Sequence, residues 1–130
     1  MTRSELRKLF HRENAKFAKV FGRVPVVLVF NGKCSGHCVY RDFALTDWPM
    51  LGPAKIIFYE RALSLPRKNL IALIRHELGH VYDPMVDSRG SEQRADDIAE
   101  YVTGVAIQYD QDDVQTISRG KYPRPDKLPK

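Results

Sequence analysis

His76, Glu77 and His80 sit together in the pentapeptide His76-Glu77-Leu78-Gly79-His80, which has the H-E-x-x-H pattern. On a helix, residues four apart lie about 40° apart around the axis and about 6 Å along it, so both imidazoles can reach one ion. Glu77 falls between the two histidines and an apolar stripe of Leu70, Leu73, Ile74 and Val81, a poor place for a carboxylate that only needs solvation. Beside a metal and its water the same position suits a general base. The competing reading is a surface helix that carries two unrelated histidines, because a bare motif of this kind is a weak signal.

A catalytic zinc takes three protein ligands and keeps a fourth position for water, so one ligand is still to be found. Glu92 is the best candidate. It opens a separate helical stretch twelve residues after His80, and Asp96, one turn later, is placed to accept the second ring N–H of a ligating histidine. The expected cofactor is one Zn2+ per chain, held by His76, His80 and Glu92, with Glu77 as the catalytic residue.

With these residues in place the chain resembles a family. His76-Glu77-Leu78-Gly79-His80 followed by Glu92-Gln93-Arg94-Ala95-Asp96 is similar to the H-E-x-x-H and E-x-x-A-D pair of gluzincin-type zinc metallopeptidases. The resemblance implies that Glu92 is the third zinc ligand and that Asp96 supports His76 from behind. The order of elements is similar to the minimal zincin domain of ImmA/IrrE-type peptidases. The E-x-x-A-D sequence is closer to the HtpX-like membrane peptidases, whose spans are absent here. The long metzincin signature needs Gly three and His or Asp six residues after the second histidine, where this chain has Asp83 and Val86. A SprT-like reading needs a third histidine downstream, and none follows His80.

These residues must be carried by a domain of modest size. The chain has 130 residues, 43% of them apolar, which is ordinary for one globular core. No apolar run is as long as a membrane span, and Met1 to Phe10 carries charges where a secretory signal needs an apolar core. Two cysteines, Cys34 and Cys38, are too few for a secreted disulfide scaffold. The expectation is a cytoplasmic protein with no membrane partner. Residues 1–41 carry nine Lys/Arg against two Asp/Glu, residues 42–113 seven against thirteen, and residues 114–130 five against one. Basic termini thus flank an acidic middle, a pattern that can attract nucleic acid or a DNA-bound target but is more often only solvated.

Ser4 to Phe21 has its apolar residues, Leu6, Leu9, Phe10, Phe17, Val20 and Phe21, at helical spacing, and Gly22 ends the stretch. Val26 to Phe30 is a β-branched run that follows Pro25, and Asn31-Gly32 is a hairpin signal that makes the next segment its candidate antiparallel partner. Cys34, His37 and Cys38 in that segment are read as free thiols and a lone histidine, with a local disulfide or a second metal site completed by His11 as the alternatives. Asp47 to Pro53 reads as a loop whose Trp48 and Met50 are partly exposed or packed over a cleft. Ile56 to Tyr59 forms a third strand leading straight to the motif helix, which Ser64 caps and which runs from about Arg67 to Tyr82. A last helix starts after its N-cap Ser91 and is predicted to reach Tyr109, with Ala95, Ile98, Ala99, Val102, Val105 and Ala106 on its apolar side.

The fold class is therefore α+β: a minimal zincin-like domain over residues 1–113 with a small, mostly antiparallel three-stranded sheet, and a basic, proline-containing tail over 114–130. The function expected is that of a zinc metallopeptidase, a hydrolase acting on a specific intracellular protein or peptide substrate through a zinc-bound water activated by Glu77. An extended substrate is expected to pair along an edge strand containing Ile56 to Tyr59. Tyr59, Tyr82, Tyr109 and His37 are candidate oxyanion donors, and Tyr101 is the weakest because it lies about 180° from Glu92 on the helix wheel. The alternative is a non-catalytic zincin-fold binding or regulatory module associated with nucleic acid.

Overall fold

The computed structural model describes residues 1–31, 43–48, 51–85 and 91–107. The chain begins with helix α1 (Arg3–Phe21), followed by strands β1 (Val26–Asn31), β2 (Ala44–Asp47) and β3 (Ala54–Tyr59). A short 3-10 helix (Glu60–Ser64) leads into α2 (Arg67–Tyr82), and α3 (Glu92–Thr103) completes the α+β fold. Thr2 caps α1 in a reciprocal capping box with Glu5, which satisfies donors that the first turn cannot pair internally.

The sheet has the order β1-β3-β2 and is mixed. Strand β3 lies in the centre, parallel to β1 and antiparallel to β2. This corrects one expectation: Ile56 to Tyr59 lies on the central described strand, not on an edge. The segment after Asn31 that the hairpin signal makes a partner of β1 lies outside the described residues. The reason is composition. Residues Ala54–Tyr59 are almost wholly apolar and suit a strand flanked on both sides, whereas β2 is short and carries Thr46 and Asp47. The paired residues Ala44–Phe58 and Thr46–Ile56 share one face of the sheet with Leu28 and Phe30. On that face Ile56 and Phe58 are completely buried, and the hydroxyl of Thr46 is a polar group on an otherwise apolar surface.

Helix α2 is the axis of the molecule, packed against α1, α3, β2 and β3. Its stripe of Leu70, Leu73, Ile74 and Val81 is buried as predicted, and every residue from His76 to Tyr82 is buried as well. Pro66, not Ser64, occupies its N-cap, with no side-chain cap; the Pro66 carbonyl accepts from Asn69 and Leu70 N–H instead. Helix α1 lies on α2 through Leu6, Leu9, Phe10 and Phe17, while Val20 and Phe21 are left partly exposed. Between them is Glu13, fully buried and bonded to Arg75 on α2 at 2.7 Å, to Lys16 at 3.1 Å and to Arg12 at 3.2 Å.

Helix α3 stops at Thr103, short of Tyr109. Gly104 takes the left-handed conformation (φ 75°) and its N–H closes on the Glu100 carbonyl, which ends the helix despite the apolar residues that follow. Val105 is consequently exposed, while Ile107 turns back into the core. Cys34, His37, Cys38, Met50, Tyr109 and the tail over 114–130 lie outside the described residues. Among the described residues no helix is long and apolar enough to cross a membrane.

Candidate metal centre

The two motif histidines leave α2 on the side that α3 covers. Close approach of these helices is what brings Glu92 to them, and Gly79 permits it: a Cβ at that position would stand 2.9 Å from Ala95 Cα and 2.8 Å from its carbonyl carbon. Ser91 caps α3, its side chain accepting from Arg94 N–H at 3.2 Å, so Glu92 is the first helical residue. Arg94 then reaches back to the end of α2, donating from Nε and Nη2 to the two carboxylate oxygens of Asp83 at 2.8 and 2.7 Å. Asp83 is 1% exposed and also accepts from Met85 N–H at 2.8 Å. This bidentate fork fixes the start of α3 relative to the end of α2.

Between the helices, the Glu92 carboxylate spans the two rings. Its Oε2 lies 2.9 Å from His76 Nε2, and its Oε1 lies 3.1 Å from His80 Nε2. Asp96 Oδ1 lies 2.6 Å from the other nitrogen of His76, Nδ1. The structure thus brings together four of the residues singled out by sequence, His76, His80, Glu92 and Asp96, with Glu77 next to His76 on α2. His76, Glu77 and His80 are buried, Glu92 and Asp96 are partly so, and the His76, His80 and Glu92 ligand atoms all lie within 4.8 Å of one another.

Electrostatics at His76 bear on what the site can hold. Both ring nitrogens face carboxylate oxygens, yet a neutral imidazole has only one N–H to donate. With Nδ1–H given to Asp96, the Nε2 contact takes a further proton, on the ring or on the Glu92 carboxyl, or a metal in its place. Without a metal, burial pushes the His76 pKa down, but its hydrogen bonds to Asp96 and Glu92 outweigh burial and hold the ring well above the usual imidazole range. Burial likewise pushes Glu92 up, and its bonds to His76 and His80 reverse this and bring it down to about 2. A tetrahedral zinc with bonds of about 2.0–2.1 Å sets its donor atoms roughly 3.3 Å apart. The three ligand atoms here lie within 4.8 Å of one another, and the 2.9 and 3.1 Å contacts reach two different oxygens of Glu92. Two imidazole nitrogens and a carboxylate, with an aspartate behind one ring, form a donor set that suits zinc.

Glu77 is 1% exposed and points toward the sheet, where Thr46 Oγ1 donates to its Oε1 at 2.6 Å. Sequence reasoning missed Thr46, because only the pairing of β2 with β3 brings that residue to α2. A Thr on the core-facing side of a strand, between Ala44 and Trp48 in period-two alternation, was the available signal. Trp48 stands edge-on to His80, with ring centroids 6.0 Å apart, and lines a cleft of about 240 Å³ with Val24, Pro25, Gly52, Pro53, Ala54 and Val81. That arrangement matches the expectation of a Trp packed over a cleft. Among the candidate oxyanion donors, Tyr82 spends its hydroxyl on Asn14 at 2.7 Å, and Tyr101 is 74% exposed beside Phe21. Tyr59 is buried at the end of β3. His11, the candidate fourth ligand of a second metal site, packs against Phe10 on α1.

Comparisons with family models, with curated proteins and with solved structures found no match to this chain.

Proposed function

We propose that this chain is a zinc-dependent metalloendopeptidase of the gluzincin type that cleaves a specific protein in the cytoplasm. The observation that carries the reading is the clustering of His76, His80 and Glu92 with a buried carboxylate, Glu77, next to His76 on the same helix. His76, His80 and Glu92 would hold the ion, and Asp96 would fix the tautomer and plane of His76 by accepting its Nδ1–H. Zinc, when bound, supplies Lewis-acid polarisation of the scissile carbonyl and lowers the pKa of a water toward about 7. Glu77 takes the proton as water adds to the carbonyl carbon and delivers it to the amide nitrogen as the C–N bond breaks.

Substrate pairing moves from the strand expected to β2, the outermost described strand on the side of α2. Phe43 and Tyr59 are joined by a hydrogen bond of 2.9 Å, which sets the antiparallel alternation. In that register Leu45 and Asp47 turn their backbone groups toward β3, and Thr46 turns its own away from it, above Glu77. A substrate backbone paired with Thr46 would lie beside the base. The basic residues of α1 suit a substrate that is bound to nucleic acid.

The test is the metal content and peptidase activity of purified full-length protein, measured for wild type and for Glu77→Gln, His80→Ala and Glu92→Ala. The expected result is about one zinc per chain in wild type and Glu77→Gln, strongly reduced zinc in the two ligand variants, and cleavage of a peptide library by wild type alone. A Glu77→Gln protein that keeps zinc and full activity would overturn the mechanism. Zinc retained by Glu92→Ala would move the third ligand elsewhere. Full zinc with no cleavage of any peptide or protein would favour the non-catalytic binding module.

A further inference from the structure

We infer that Thr46 is a positioning residue for Glu77, an inference that rests on the peptidase reading above. The geometry consists of one short bond and its setting. Thr46 Oγ1 lies 2.6 Å from Glu77 Oε1 and 3.4 Å from the Glu77 carbonyl oxygen. A hydroxyl has one proton to give, and the shorter contact to a charged acceptor takes it.

A glutamate's last torsion is broad and roughly two-fold, so a carboxylate at the end of a buried side chain can rotate without leaving its rotamer. A donor fixed to Oε1 removes that freedom. Thr46 can serve as such a donor because it is anchored on both sides. Its backbone is held in register opposite Ile56 of the central strand, and its side chain belongs to the core-facing surface of the sheet. A β-branched residue on a strand has few χ1 choices, so the hydroxyl itself is directed. Glu77 is thus aimed from β2, while the metal ligands are aimed from α2 and α3. The two halves of the chemistry are set by different elements, and Thr46 couples the strand proposed to receive substrate to the residue that moves the proton. A misplacement of about 1 Å at a reacting group can cost on the order of a hundredfold in rate.

The experiment compares full-length, zinc-loaded wild type with Thr46→Val, which keeps the shape and removes the hydroxyl, and Thr46→Ser, which keeps the hydroxyl. Zinc content, kcat and KM are measured on the peptide cleaved best by wild type, together with crystal structures of all three proteins. The expected result for Thr46→Val is unchanged zinc, KM within about threefold and kcat lower by about tenfold or more, with the Glu77 carboxylate rotated or spread over several orientations. Thr46→Ser should recover kcat to within about threefold and restore one orientation. A Thr46→Val protein with wild-type kcat, or with its Glu77 carboxylate unmoved, would overturn the assignment. So would loss of zinc in parallel with kcat, which would make Thr46 a packing residue, or a Thr46→Ser protein as slow as Thr46→Val. If wild type holds zinc but cleaves nothing, the peptidase reading fails, and the crystallographic comparison alone decides whether Thr46 orients Glu77.

Discussion

Gly79 of α2 lies directly against the backbone of Ala95 in α3, so that a side chain on Gly79 would collide with the Ala95 carbonyl group. The obstacle is backbone, which cannot swing aside as a flexible side chain would. Gly79→Ala is therefore expected to force the two helices apart, at a cost of about 1–3 kcal/mol of stability. Because Glu92 rides on α3 and the histidines on α2, zinc affinity should fall with it. Denaturant titration and metal competition on the same variant check both effects. An unchanged zinc affinity in a destabilised protein would mean that the ligands adjust independently of the helix crossing.

Asp96 has a narrower role. Its Oδ1 lies 2.6 Å from His76 Nδ1, so Asp96→Ala should weaken zinc binding by about 10–100-fold while leaving His76, His80 and Glu92 in place. Asp96→Asn keeps an acceptor oxygen and should lose less. Competition against a chelator of known affinity distinguishes the two variants.

Metal removal should register as a loss of stability, since a ligand that binds only the folded state adds its binding free energy to folding. Zinc at a hundred times its dissociation constant is expected to contribute about 2.7 kcal/mol. Calorimetry with and without chelator should show a clear fall in Tm for wild type. His80→Ala should show almost none.

Glu13 makes a separate contribution that depends on pH. Burial pushes its carboxyl up, but the Arg75 and Lys16 hydrogen bonds and charges outweigh burial and hold it below the ordinary carboxylate value. A depressed folded pKa adds stability that is fully present above the unfolded value of about 4.3 and is lost as pH falls through the folded value. Glu13→Gln should cost about 1.5–3 kcal/mol at pH 7, and the gap between variant and wild type should shrink on acidification below about pH 4. Urea titrations of both proteins at pH 7 and pH 3 measure that difference. A gap that stays constant would show that charge on Glu13 is not what joins α1 to α2.

What could be read in the sequence was what depends on near neighbours. The buried stripe of α2 and the shared side of His76 and His80 follow from helical periodicity, and Glu92 with Asp96 follows from their spacing of one turn. Strand order could not be read, because β1 pairs with Ala54–Tyr59, far along the chain, and local residue preferences carry no record of that pairing. Thr46 was hidden for the same reason: its partner is 31 residues away and the register of β2 decides the contact. Glu13 carries no sequence signal of burial, since its partner on α2, Arg75, lies 62 residues on. Helix α3 ends before its apolar pattern does, because Val105 and Ala106 continue the pattern while the conformation of Gly104 overrides it.

The Arg94–Asp83 fork bears on how the two parts of the site can diverge. It joins the end of α2 to the start of α3, so these two points stay together whatever the length of chain between them. Each doubling of such a loop costs only about 0.6 kcal/mol in closure entropy. Insertions between Met85 and Ser91 should thus accumulate at little expense, giving descendants in which the histidine pair and the glutamate drift apart along the chain yet still meet. The interval between His80 and Glu92 in sequence is free to vary, and their separation in space is not.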